Sequence, residues 1–90
     1  MKISKEKREK IFEQILAFLY TSSPRLLFTL DIAKELARDE EFIKKLLLEL
    51  KTKKMVVEIK KNPAGIAYSR RSRWKISDEA YKIYKSHQNA

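Results

Sequence analysis

Apolar positions along the chain fall into four helical stripes separated by one short apolar segment and one alternating stretch. Ile11, Phe12, Ile15, Leu16, Phe18 and Leu19 form a broad stripe behind a polar, basic start. This spacing predicts a first helix from about Ser4 to Tyr20. Thr21, Ser22, Ser23 and Pro24 close it, because proline cannot continue a helix. Arg25 to Phe28 is short and mostly apolar. Leu30, Ile32, Ala33 and Leu36 then predict a second helix with Thr29 as its N-cap. After a break at Ala37 and Arg38, Phe42, Ile43, Leu46, Leu47 and Leu50 predict a third, over about Glu40 to Lys53. Asp39 suits its N-cap, and Glu40 and Glu41 suit the positive end of its dipole. Leu48 falls outside this stripe.

The period then changes. Met55, Val57 and Ile59 alternate with Val56, Glu58 and Lys60, which predicts a strand. Asn62, Pro63, Ala64 and Gly65 suit a type I turn, with Asn first, Pro second and Gly fourth. Ile66 to Ile76 is expected as the return strand, with Trp74 and Ile76 in the core. If the turn sets the register, Ile59 faces Tyr68 and Val57 faces Arg70. Ser77 is an expected N-cap for a last helix reaching about Ser86, with Ala80, Tyr81, Ile83 and Tyr84 as its apolar set.

Two short helices joined by a tight turn make a helix-turn-helix pattern. Followed directly by a basic hairpin, they resemble the winged helix-turn-helix family of small archaeal, viral and bacterial transcription regulators. Ile32, Ala33, Leu36, Ile43, Leu47, Leu50, Met55 and Val56 stand where that family carries core residues. The resemblance covers nearly the whole chain and rests on residue classes, not invariant residues. It implies an α+β, mainly α fold in the order helix, strand, helix, helix, strand, strand, helix, with residues 1–90 as one domain. It also implies that Arg25 to Phe28 pairs with the hairpin, and that Lys54 occupies a turn position where many relatives carry glycine.

Charge sharpens the picture. The chain carries 21 Lys/Arg against 12 Asp/Glu, a net +9, with an isoelectric point near 9.9. Residues 1–50 hold ten basic and nine acidic side chains, and residues 51–90 hold eleven and three. A basic half beside a nearly neutral one points to a polyanion-binding face. With no cysteine, disulfides and cysteine-ligated metals are excluded. No stretch approaches the roughly 20 apolar residues that span a membrane, and nothing resembles a signal peptide, so an intracellular, cytoplasmic protein is expected. A single glycine and a single histidine offer neither a phosphate-cradling loop nor a catalytic or metal-binding cluster. Neither an enzyme nor a cofactor is expected.

The expected partner is double-stranded DNA. The resemblance implies that the third helix lies in the major groove, with Lys44 and Lys45 toward DNA. The wing would follow the backbone or the minor groove, using Lys60, Lys61, Asn62, Tyr68, Arg70, Arg71 and Arg73. Thr29, with the helix amides beside it, would meet a phosphate. Glu40 and Glu41 depart from the small polar or basic residues usual on this leading turn. Two other readings stand beside this one: a protein-interaction module, suggested by Glu40, Glu41 and Leu48, and an RNA-binding domain, suggested by arginines near Tyr68. A homodimer through the first and last helices is expected, with half-sites about one helical turn apart.

Overall fold

Polar side chains set where three of the four helices begin in the computed structural model, which describes residues 3–67 and 71–88. Helix α1 (Lys5–Ser22) starts at Ser4, whose hydroxyl accepts from the Lys7 N–H at 3.2 Å. It runs about half a turn beyond the expected end at Tyr20. Strand β1 (Leu27–Phe28) leads directly into helix α2 (Thr29–Leu36). Here the expectation needs correction. Thr29 is the first helical residue and not the cap. The residue before the helix is Phe28, and its N–H donates to the Asp31 carboxylate at 2.9 Å. Helix α3 (Glu40–Thr52) begins at Asp39, whose carboxylate accepts from the Phe42 N–H at 3.1 Å. Strands β2 (Val56–Ile59) and β3 (Arg73–Ile76) precede α4 (Asp78–Gln88). There Ser77 accepts from the Ala80 N–H at 3.1 Å.

Helices α2 and α3 end in the same way. The Ala37 N–H donates to Lys34 and the Arg38 N–H to Ala33; the Lys54 N–H donates to Lys51 and the Met55 N–H to Leu50. These paired bonds satisfy the last carbonyls of each helix. They require a left-handed residue, and Ala37 (φ 54°) and Lys54 (φ 62°) supply it without glycine. The bend expected at Lys54 is therefore present, at a cost of about 1–2 kcal/mol for a side chain in that region.

The three strands form an antiparallel sheet in the order β1-β3-β2. Trp74 lies opposite Leu27 on one side and Glu58 on the other. Val56 pairs with Ile76, Val57 with Lys75 and Ile59 with Arg73. The expected pairing of Ile59 with Tyr68 and Val57 with Arg70 is wrong, and β3 is far shorter than Ile66 to Ile76. At the wing tip Lys61 bridges Ala67. Lys61 is two positions beyond Ile59, but Arg73 is six beyond Ala67, so the return limb carries four extra residues. Burial explains the shift. This register turns Trp74 and Ile76 inward on the same face as Val56, and a sheet with one buried face takes its register from that face.

The core gathers Ile11, Ile15 and Leu19 of α1, Ile32 of α2, Ile43, Leu46, Leu47 and Leu50 of α3, Leu27 of β1 and Trp74 of β3. The stripes expected on α1, α2 and α3 face it, and on α4 Ala80 does so. Tyr81 and Tyr84 of α4 pack back on Tyr20 of α1, with ring centroids 5.0 and 5.6 Å away. Of the residues expected to form a partner surface on α4, this leaves Ile83 exposed, at 53%.

Candidate nucleic-acid interface

The helix-turn-helix and the wing meet across a cleft of about 400 Å³. Thr29 of α2, Glu40, Glu41 and Lys44 of α3, Glu58 of β2, Arg71, Ser72 and Trp74 line it. The fold thus brings three of the expected site residues together: Thr29, Lys44 and Arg71. Two cations, Lys44 and Arg71, and three carboxylates, Glu40, Glu41 and Glu58, line the cleft together. Lys45 stands exposed on α3, and Lys60 and Lys61 stand exposed on the wing.

Thr29 serves a different purpose from the one expected. Its hydroxyl accepts a hydrogen bond from the Trp74 indole N–H at 2.9 Å. The indole is fully buried, and a buried N–H must find an acceptor. That demand takes the hydroxyl away from the helix amides and ties β3 to the start of α2.

Asn62 also has a structural role. Its side-chain oxygen accepts from the N–H groups of Ala64 and Ile66, each at 3.0 Å. Its own N–H donates to the Ile66 carbonyl, and its carbonyl accepts from the Gly65 N–H, each at 2.9 Å. Asn62 builds the turn and its side-chain oxygen is committed there. Arg73 lies on the sheet face opposite Trp74, with its guanidinium 4.7 Å from the centre of the Phe28 ring. Tyr68 and Arg70 lie outside the described residues.

Glu58 carries a role that hydrophobic patterning does not reveal. Its side chain is 9% exposed. The Lys51 ammonium of α3 donates to it at 2.8 Å, and the Lys60 ammonium lies 3.8 Å away. Ser72, on the return limb of the wing, also hydrogen-bonds to it. Burial works to raise this carboxyl, but the bonds from Lys51 and Ser72 and the charges of Lys51 and Lys60 outweigh it. The carboxyl is held below its ordinary range. One carboxylate therefore joins the end of α3, strand β2 and the wing. A signal existed in the sequence: Glu58 is the only acidic residue between Glu49 and Asp78, among nine lysines and arginines.

A helix-turn-helix made by α2 and α3 and followed by the β2–β3 hairpin defines the winged-helix class. No family model matches the sequence, and no curated protein sequence does so either. Solved structures agree on the fold. The Staphylococcus aureus MepR–DNA complex superimposes with a TM-score of 0.70 at 22% identity, covering 93% of this chain and 69% of that one. MepR, a transcription regulator of the multidrug efflux pump MepA, gives 0.67 at 23% identity, covering 98% and 57%. Lactococcus lactis ZitR in its apo form gives 0.64 at 17% identity, covering 93% and 61%. The chain spans less than two thirds of the length of MepR and ZitR in the latter two structures, and at these identities the likeness is one of fold. Among the described residues, no helix is long and apolar enough to cross a membrane.

Proposed function

We propose that the protein binds double-stranded DNA as a transcription regulator. Helix α3 lies in the major groove and the wing runs on the backbone or in the minor groove. The observation that carries this reading is the concentration of charge on one part of a winged-helix fold: residues 51–90 hold eleven basic and three acidic side chains. It is supported by the similarity to MepR, whose structure is known bound to DNA. Lys44 and Lys45 approach from α3, and Lys60, Lys61 and Arg71 from the wing. Phosphate contacts supply most of the affinity and make it salt-dependent. Glu40 and Glu41 on the leading turn of α3 repel phosphate, which keeps that turn from settling on the backbone. A carboxylate there is satisfied by the amino group of a cytosine.

We further infer that the protein works inside the cell as a two-fold dimer through α1 and α4, with Ile83 in the contact. Two copies would present two α3 helices to half-sites about one helical turn apart.

The deciding experiment is fluorescence anisotropy with random-sequence duplex DNA and with a structured RNA, titrated over salt. Tight, salt-steep binding to the duplex in preference to RNA is expected. Replacing Lys44 and Arg71 with alanine should weaken binding to all sequences alike. It should also flatten the salt dependence by about one unit of slope for each phosphate no longer neutralised. Preference for RNA, or no binding to either at low salt, overturns the reading.

A further inference from the structure

The tip of the wing is unlike the basic limbs that carry it. Residues 62–67 run Asn-Pro-Ala-Gly-Ile-Ala without a charge, between Lys60 and Lys61 on one side and Arg70 and Arg71 on the other. Pro63, Ala64, Gly65, Ile66 and Ala67 are all exposed. Ile66 is 65% exposed, more than any other large hydrophobic among the described residues. Three amides of the tip are turned inward. The N–H groups of Ala64, Gly65 and Ile66 all donate to Asn62, and the Ile66 carbonyl accepts from the Asn62 N–H. Gly65 adopts φ +84°, which closes the turn, and Lys61 bridges Ala67 at its base.

We propose that this tip is an apolar wedge for the minor groove of duplex DNA, with Ile66 as its leading contact. The proposal rests on the DNA-binding reading above. A tip meant for phosphate would offer free amides or cations. This one has committed three amides to Asn62 and projects hydrocarbon instead. The minor groove fits such a surface, because its walls are largely deoxyribose carbon and hydrogen, and apolar side chains enter it and unstack base steps. Charge complementarity selects the same occupant. Lys60, Lys61 and Arg71, set behind the tip, would meet the phosphates on the rims while the uncharged tip descends between them. The turn is already ordered by its hydrogen bonds, so insertion carries little further conformational cost.

The test compares wild type with Ile66→Ser and Ile66→Val on duplexes in which guanines are replaced by inosine. Inosine removes the amino group that obstructs the minor groove and leaves the major-groove edge unchanged. Wild type is expected to bind the inosine duplex more tightly than its guanine counterpart. Ile66→Ser should bind about tenfold more weakly, the order expected when a largely buried isoleucine is removed. It should lose the inosine preference and keep the salt slope, since the same phosphates are neutralised. Ile66→Val should fall between. An exposed position leaves folding intact, which the thermal unfolding of the variants verifies. If wild type binds duplex normally and Ile66→Ser matches it in affinity and inosine preference, the wedge is refuted while the DNA reading stands. If wild type binds no duplex, both fall.

Discussion

Trp74 and Thr29 stand 45 positions apart in sequence, and the indole N–H of one donates to the hydroxyl of the other at 2.9 Å. This bond joins the root of the wing to the start of the helix-turn-helix. It also accounts for a polar residue at a point where the helix has no use for it as a cap. Thr29→Val keeps the shape and removes the acceptor, leaving a fully buried N–H unpaired. A loss of about 1–3 kcal/mol in urea unfolding is expected. Trp74→Phe should cost more on its own, since it also opens a cavity. In the double variant the two losses should fall short of their sum, because both remove the same bond. Strict additivity would mean that the bond contributes nothing.

Glu58 makes stability depend on pH in a definite direction. Its folded carboxyl lies below the ordinary 4.5, so the unfolded chain binds its proton first as pH falls. The stabilisation is fully present above 4.5 and is lost as pH drops through the lower folded value. Glu58→Gln should therefore be less stable than wild type at neutral pH, and the gap should close below about pH 4.5. The check is urea unfolding of both proteins across acidic pH. A gap that does not change with pH would show that charge on Glu58 is not what Lys51 and Ser72 hold.

The dimer reading can be tested at Ile83. The side chain is exposed, while its neighbours Tyr81 and Tyr84 are engaged with Tyr20. Ile83→Asp should leave helical content unchanged and convert a dimeric mass to a monomeric one in light scattering at micromolar concentration. A monomeric wild type would exclude α4 as a partner surface at that concentration.

Local chemistry marked most of the elements. Helix stripes at Ile11–Leu19 and Ile43–Leu50, caps at Asp39 and Ser77, and the turn at Asn62 and Gly65 each depend on residues a few positions apart. Spacing along the chain is therefore enough to read them. The inward face of β3 was legible too, because Trp74 and Ile76 are the large apolar pair of that stretch.

Other features depend on partners far apart in the chain, and folding had to bring those together. The β2–β3 register came from burying Trp74 and Ile76 beside Val56, which overrode the pairing that the turn alone suggested. Thr29 passed from cap to acceptor because Trp74 needed one. The side-chain oxygen of Asn62 was taken up by its own turn, and Glu58 became a junction because folding brought Lys51, Lys60 and Ser72 to it. A side chain's type is written in the sequence, but whether its hydrogen bonds are free for a partner is settled by which polar groups burial leaves in need of one.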